Sequence, residues 1–156
     1  MKIRTDYVTN SSSSSFILGF KSEDDIAKAL AEDDCCGYFE TIYRDCKEAD
    51  KMSMDEMLTI AREEMEWNVR FDIEYESEKA RRMSWDERHK WSKTKEFEDM
   101  VEKEIQRRLD EIKSKAENNN NHIFVDVSYA DECGESELEH YIVPNLDCCL
   151  KRFSHH

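Results

Sequence analysis

Apolar residues stand in unbroken runs or at alternate positions in four segments of the chain, and this pattern predicts β-strands. Phe16 to Phe20 form an apolar run, which is typical of a strand buried on both faces. Apolar residues alternate with charged ones at 69–75 and with mostly polar ones at 123–129. The segment 148–154 is the fourth candidate. The charged second face of 69–75 predicts that this strand lies at an edge or on the exposed side of the sheet.

Elsewhere the apolar residues recur every three or four positions, which is the period of an α-helix. Helices are predicted at 26–31, at 38–50 and at 54–66, with a short one around Leu138. Ser53 and Glu56, just before the third helix, form the sequence pattern of a capping box.

The longest predicted helix covers 85–116, a stretch without glycine or proline. At 1.5 Å per residue it would span ~48 Å, whereas a domain of this length has a diameter of roughly 40 Å. We therefore expect this helix to bend, to project, or to pack its apolar stripe on 54–66 or on a second copy of the chain. The stripe consists of Phe97, Val101, Ile105, Leu109, Ile112 and Ala116.

These elements predict a single α+β domain over residues 1–156, in which a small, mainly antiparallel sheet packs with several helices. The three most apolar strands, 16–20, 123–129 and 148–154, should share one sheet. If the first and last of them are antiparallel neighbours, the serine run at 11–15 and the C-terminal histidines lie at the same end of the sheet. His140 would then be the third member of a pocket at that end.

The net charge of the chain indicates which classes of partner it can bind. Acidic residues number 37 and basic residues 23, so the net charge is −14. Nucleic-acid binders usually carry a basic field, so direct nucleic-acid binding is disfavoured, and an acidic surface suits a basic partner or simply solubility. No apolar stretch approaches the ~20 residues of a membrane span, and residues 1–10 lack the apolar region of a secretory signal. We expect a cytoplasmic protein that does not associate with a membrane.

The serine run, Ser11, Ser12, Ser13, Ser14 and Ser15, is the most unusual local feature. A flexible low-complexity loop is one interpretation. An ordered loop of hydroxyl and backbone N–H groups that holds an anion such as phosphate is another. The hydroxyls are also acceptors for phosphorylation. Neither a Walker A motif nor a GxGxxG motif accompanies the run, so no motif supports nucleotide binding.

A second group of candidate ligands lies near the C-terminus. His140, Cys148, His155 and His156 carry imidazole and thiol groups, which are zinc ligands when deprotonated. No CxxC, HxxxH or HExxH pair accompanies them, and a buried thiol or a solvated terminal histidine is the simpler interpretation. Zinc is therefore a minor alternative.

The third candidate is a surface for a partner protein. Trp85, Arg88 and Trp91 lie in a mixed aromatic and basic segment that interrupts the acidic field. Core packing is the ordinary role of such tryptophans. Stacking and cation–π contacts with a partner are the functional alternative.

The two ends of the chain resemble a family of small bacterial and phage-associated proteins. Residues 1–18, MKIRTDYVTNSSSSSFIL, are similar to the leading M-K-x-R-x-D-[FY]-V-T-N-S-S-S-S-S-F motif of that family, and EHYIVPN with KRFSHH is similar to its R-x-S-H-H ending. The middle, roughly 22–116, is not covered. The resemblance implies that His155 and His156 are native and that the serine run is more than chance low complexity. It implies no activity.

Two functional hypotheses remain. The first is a small acidic cytoplasmic interaction protein, associated with a phage or mobile element, that binds a basic partner surface without catalysis. One specific version of this hypothesis is a protein that mimics the charge of a nucleic acid. The chain could also form a homo-oligomer through its long helix. The alternative is a metal- or phosphate-binding protein or enzyme that uses the serine loop and the C-terminal His/Cys group.

Overall fold

A computed structural model describes residues 13–33, 35, 37–130 and 135–155, and for His155 it describes the backbone. In these ranges eight elements, β1 and seven helical ones, precede the second strand, and two short helical turns lie between the second strand and the third. In chain order the elements are β1 (Ser13–Phe20), α1 (Ile26–Glu32), α2 (Phe39–Glu48), α3 (Met54–Phe71), a π-helical turn (Asp72–Glu76), α4 (Glu78–Arg81), α5 (Trp85–Trp91), α6 (Lys95–Asn118), β2 (Ile123–Ala130), a π-helical turn (Leu138–Ile142), a 3₁₀ turn (Val143–Asn145) and β3 (Cys149–His155). Within the described ranges, none of the helices combines the length and the apolar character that a membrane crossing needs.

The sheet has three antiparallel strands in the order β2-β1-β3, so the α+β class and the shared sheet are confirmed. Phe16 is paired with Val127 of β2 on one side and with Arg152 of β3 on the other. Ser13 is paired with His155, so the backbones of the serine run and of the C-terminal histidine meet at one end of the sheet, as the antiparallel arrangement requires.

β1 separates two hydrophobic cores. Phe16, Leu18 and Phe20 point into the core formed with α1, α2 and the turn at 138–142, whereas Ile17 points into the core formed with α3 and α6. This division follows from the alternation of side chains along a strand. All four of these β1 side chains are almost completely inaccessible to solvent.

The prediction of a strand at 69–75 is wrong, because this segment is the end of α3 and the π-helical turn after it. Val69 and Ile73 are four residues apart and point into the core, while Phe71 and Tyr75 are four residues apart and point to solvent. Because one pair is shifted by two residues from the other, apolar residues stand at every second position from 69 to 75. A strand with one buried face gives the same pattern.

The prediction of one continuous helix over 85–116 is also wrong, because the helix is interrupted at 92–94, between α5 and α6. The side chain of Thr94 accepts a hydrogen bond from Phe97 N and so caps α6. The break brings Trp91 against Phe97, with ring centroids 5.1 Å apart in an edge-to-face contact. The burial of Trp91 against Phe97 therefore compensates for the backbone hydrogen bonds that the interrupted helix loses.

The apolar stripe of α6 packs on α3 within the same chain, which was one of the expected arrangements. Arg70 donates to Glu98 at 2.6 Å and 2.9 Å across this pair of helices, and Arg62 pairs with Glu102. All six stripe residues are buried. Because its own chain covers the stripe, it offers little apolar surface to a second copy. Homo-oligomerisation through this stripe is therefore no longer expected.

Gly19 is the tightest point of β1 and gives a stability prediction. A methyl group at this position would lie 2.8 Å from Asn121 Oδ1 and 2.9 Å from Leu150 Cδ1. We expect Gly19→Ala to lower the free energy of unfolding by about 2 kcal/mol through overpacking, as measured by urea denaturation. Gly37→Ala is the comparison, with φ +88° but no neighbouring atom within 4 Å, and should cost only about 1 kcal/mol. A Gly19→Ala variant as stable as the parent would contradict this packing.

Candidate functional site

A buried polar cluster joins the serine run to the C-terminal segment. Ser14 in β1 donates a hydrogen bond to Glu139 Oε1 at 2.7 Å. Arg152 in β3 donates from Nε to Ser14 Oγ at 3.1 Å and from Nη2 to Glu139 Oε1 at 3.4 Å. Ser14 and Glu139 are fully buried. In the antiparallel register Ser14 is paired with Ser154 and Arg152 with Phe16, so Ser14 and Arg152 are diagonal neighbours, and Glu139 of the turn at 138–142 contacts both.

His140 completes the cluster. Its Nδ1 lies 3.4 Å from Arg152 Nη2, and its Nε2 lies 3.8 Å from Glu139 Oε2. A guanidinium can only donate, so this contact makes Nδ1 the acceptor and leaves the proton of a neutral imidazole on Nε2, towards the carboxylate. Among the described residues, Glu139 Oε2 has no hydrogen-bond partner.

The cluster neutralises a buried carboxylate. Burying Glu139 without a counter-charge would be costly, and Arg152 with the Ser14 hydroxyl supplies both charge and hydrogen bonds. Of its members, His140 and Arg152 are only partly buried, so they form the solvent-facing side. The arrangement fixes the turn at 138–142 to the end of the sheet.

The remaining sequence candidates at this end are only partly described. Ser13 and Ser15 belong to β1, Ser15 being fully buried. Ser11, Ser12 and His156 lie outside the described residues, as does the side chain of His155. The sequence pointed to His140 and the serines, with Glu139 as a carboxylate near His140, but not to Arg152 or to the buried pair that it forms with Glu139. Both stand in the EHYIVPN and KRFSHH segments, so a search for charge partners within those segments could have found them.

Cys148 lies in the core rather than at a solvent-facing ligand position. Burial raises the pKa of the Cys148 thiol, and burial raises the pKa of Cys46 to about 12 and that of Cys149 to about 11. These thiols behave as small apolar side chains. In the part of the chain that the structure describes, no three His, Cys, Asp or Glu side chains converge as a metal site.

A ladder of three exposed rings lies on the opposite side of the sheet from this cluster. Trp67 and Phe71 of α3 stack with centroids 5.5 Å apart, and Phe71 stacks on Tyr75 of the π-helical turn at 4.8 Å. Their exposed fractions are 63, 42 and 41 %. We call Trp67, Phe71 and Tyr75 the aromatic ladder. The i, i+4 spacing places the rings in one line on the helix surface.

The three residues predicted to bind a partner divide between this surface and the core. Arg88 covers the end of the aromatic ladder, with its guanidinium 5.1 Å from the ring centre of Tyr75. Trp85 is exposed and stacks on His89. Trp91 is buried against Phe97 and Lys79. Trp91 therefore belongs to the core, whereas Trp85 and Arg88 are accessible beside the ladder.

Carboxylates without a described ion pair surround the aromatic ladder. Glu63 stands one helical turn before Trp67, and Glu74 and Glu76 flank Tyr75. Neighbouring carboxylates such as Glu66 and Glu98 are instead paired with Arg70. The surface around the rings is thus apolar in its middle, with carboxylates at its rim and the Arg88 guanidinium over the Tyr75 end.

A depression of about 800 Å³ near the start of α1 is a weaker candidate site. Three lysines and four carboxylates line it, so its charges nearly cancel. These residues are Lys21, Lys28, Lys115, Asp25, Glu32, Asp33 and Asp147. Nothing in this lining selects one kind of ligand.

No protein-family model, curated protein sequence or solved structure matches the chain. The functional inference therefore depends on the residues of this chain alone.

The buried cluster predicts an asymmetric response to mutation. Arg152→Met leaves the Glu139 carboxylate buried without its counter-charge, and we expect a loss of about 3 kcal/mol in the free energy of unfolding at pH 7. Adding Glu139→Gln to that variant should recover part of the loss, because the buried charge is gone. Arg44→Met, which breaks a surface pair with Asp45, should leave the free energy of unfolding almost unchanged, because solvent screens an exposed pair. Equal losses in the single and double variants, measured by urea denaturation, would contradict this account.

Proposed function

We propose that this protein is a non-catalytic binding module that docks a basic segment of a partner protein on the aromatic ladder. The observation that carries the proposal is the line of three stacked, exposed rings framed by carboxylates. A monomeric protein seldom exposes such a contiguous apolar surface without using it. Aromatic side chains also dominate the binding energy of most protein interfaces.

The ladder is suited to cationic side chains in particular. Ring faces attract guanidinium and ammonium groups, and Arg88 already occupies one such face, that of Tyr75. An arginine of a partner can occupy the exposed Trp67 or Phe71 in the same way. Stacking between neighbouring rings holds them in place before binding, which reduces the entropy that a partner must overcome.

The carboxylates supply the complementary charge. Glu63, Glu74 and Glu76 lie within one or two helical turns of the rings, and the whole chain carries a net charge of −14. Such a field speeds the approach of a basic partner and repels acidic ones. A cytoplasmic protein of this kind can compete with nucleic acid for a basic partner surface, which is the charge-mimic form of the proposal.

The test uses three 12-residue peptides that alternate glycine with arginine, lysine or glutamate, and measures binding by calorimetry. We expect the arginine peptide to bind best and the glutamate peptide not to bind. Because Arg88 occupies Tyr75, two cation–π contacts of about 0.5–1 kcal/mol each, on Trp67 and Phe71, are open to a partner, and the triple variant Trp67→Ala, Phe71→Ala, Tyr75→Ala should weaken binding by roughly 5- to 30-fold.

The control is Tyr141→Ala, which removes an aromatic side chain that is 69 % exposed elsewhere on the surface. This variant should bind the arginine peptide as the parent does. The proposal fails if the triple variant keeps its affinity, or if Tyr141→Ala loses as much affinity as the triple variant.

A second candidate function rests on the pairing of Ser13 with His155. This pairing brings the backbone of His155 to Ser13, at the end of the sheet where His140 contacts Arg152, and so favours a metal or anion site there. Metal analysis of the purified protein separates the two candidates. One zinc ion per chain that is lost in a His140→Ala variant would support the second candidate, and a protein without stoichiometric metal, which we expect, would favour the first.

A further inference from the structure

The outer edge of β3 carries unpaired backbone groups. β3 is paired with β1 on one side only, and in the ranges 13–33, 37–130 and 135–155 no other strand lies beside it. In an edge strand, alternate N–H and C=O groups point away from the sheet. One outer carbonyl is covered, because Lys115 Nζ donates to Cys149 O at 2.7 Å. Among the described residues, no such donor covers the edge from Lys151 to Ser154.

A groove of about 250 Å³ runs along this uncovered edge. It is lined by four consecutive residues of β3, by Trp67 and Asn68 of α3, and by the ion-paired Asp72 and Arg108. Phe153 is the β3 residue of this lining that is almost completely buried. The groove therefore combines a free strand edge with an exposed aromatic side chain, which is the architecture that receives an added strand in peptide-binding domains.

The charge at this edge is opposite to that of the chain as a whole. β3 contains Lys151 and Arg152 and no acidic residue. Arg152 is neutralised by Glu139, and Arg108 by Asp72 and Glu104. Lys151 is half-buried, lines the groove, and has no ion-pair partner among the described residues. The ammonium group of Lys151 thus presents a positive charge to any segment that binds beside β3.

We infer that β3 binds an extended, acidic segment of a partner protein by strand addition in this groove. The backbone of the segment pairs with the outer edge of β3, one of its carboxylates pairs with Lys151, and an apolar side chain lies against Trp67. This site shares Trp67 with the aromatic ladder but selects an acidic segment, whereas the ladder selects a basic one. It requires neither Phe71 nor Tyr75.

A second copy of the chain is the other occupant to consider, and its charge opposes it. Pairing two β3 edges would bring the Lys151 and Arg152 side chains of both copies together. Like charges opposite one another destabilise a strand pair. Basic residues on an edge strand are a common protection against such self-association, and the same residues favour an acidic segment.

The experiment adds a seven-residue peptide of alternating valine and glutamate to the full chain and follows amide hydrogen exchange. We expect slower exchange at 151–154. Lys151→Glu should weaken binding by about 10-fold or more, because attraction becomes repulsion. Lys93→Glu, an exposed lysine between α5 and α6, is the matched control and should bind as the parent does. The double variant Phe71→Ala, Tyr75→Ala should also bind unchanged.

Several results would overturn the inference. A peptide with lysine in place of glutamate that binds equally well removes the charge argument. Binding that leaves exchange at 151–154 unchanged, or that Lys151→Glu does not weaken, places the peptide elsewhere. Protection of 151–154 that rises with protein concentration without peptide assigns the edge to a second copy. Loss of binding in Phe71→Ala, Tyr75→Ala, but not in Lys151→Glu, assigns the peptide to the aromatic ladder.

Discussion

The burial of β1 on both faces is the constraint on which the rest of the structure depends. Phe16 and Leu18 belong to one core and Ile17 to the other, so neither core forms without this strand. A strand in this position must be paired on both edges, because its backbone groups are cut off from water. β2 and β3 meet that requirement and thereby bring the C-terminal segment next to the serine run.

The same constraint explains the polar cluster. The serine run continues directly into β1, so Ser14 is carried into the interior with the apolar residues that follow it. A buried hydroxyl needs partners, and Glu139 and Arg152 provide them. Glu139 in turn needs the positive charge of Arg152. Each polar residue is thus explained by the burial of the previous one, starting from the sequence of a single strand.

The sequence predicted three of the strands and the helices at 26–31, 38–50 and 54–66, but not the helical structure of 69–75 or the interruption of the helix at 92–94. Runs such as Phe16–Phe20 have one physical explanation, whereas the alternation at 69–75 has two, and only the packing of α3 on α6 selects the helical one. The break at 92–94 depends on the fit of Trp91 against Phe97, which no periodicity reveals. In the candidate sites, the exposed Trp85 and Arg88 were predicted. The aromatic ladder was not, because the alternation at 69–75 predicts a strand for the segment that contains Phe71 and Tyr75.

The central claim is that the aromatic ladder is a docking surface for a basic segment. Its most direct test is a photo-crosslinking amino acid at position 71, with position 141 as the reference, followed by sequencing of the crosslinked peptides from the native host. The account predicts crosslinks from position 71 to segments rich in arginine and lysine, and their absence from position 141. Crosslinks to acidic or neutral segments, or the same products from both positions, would contradict it.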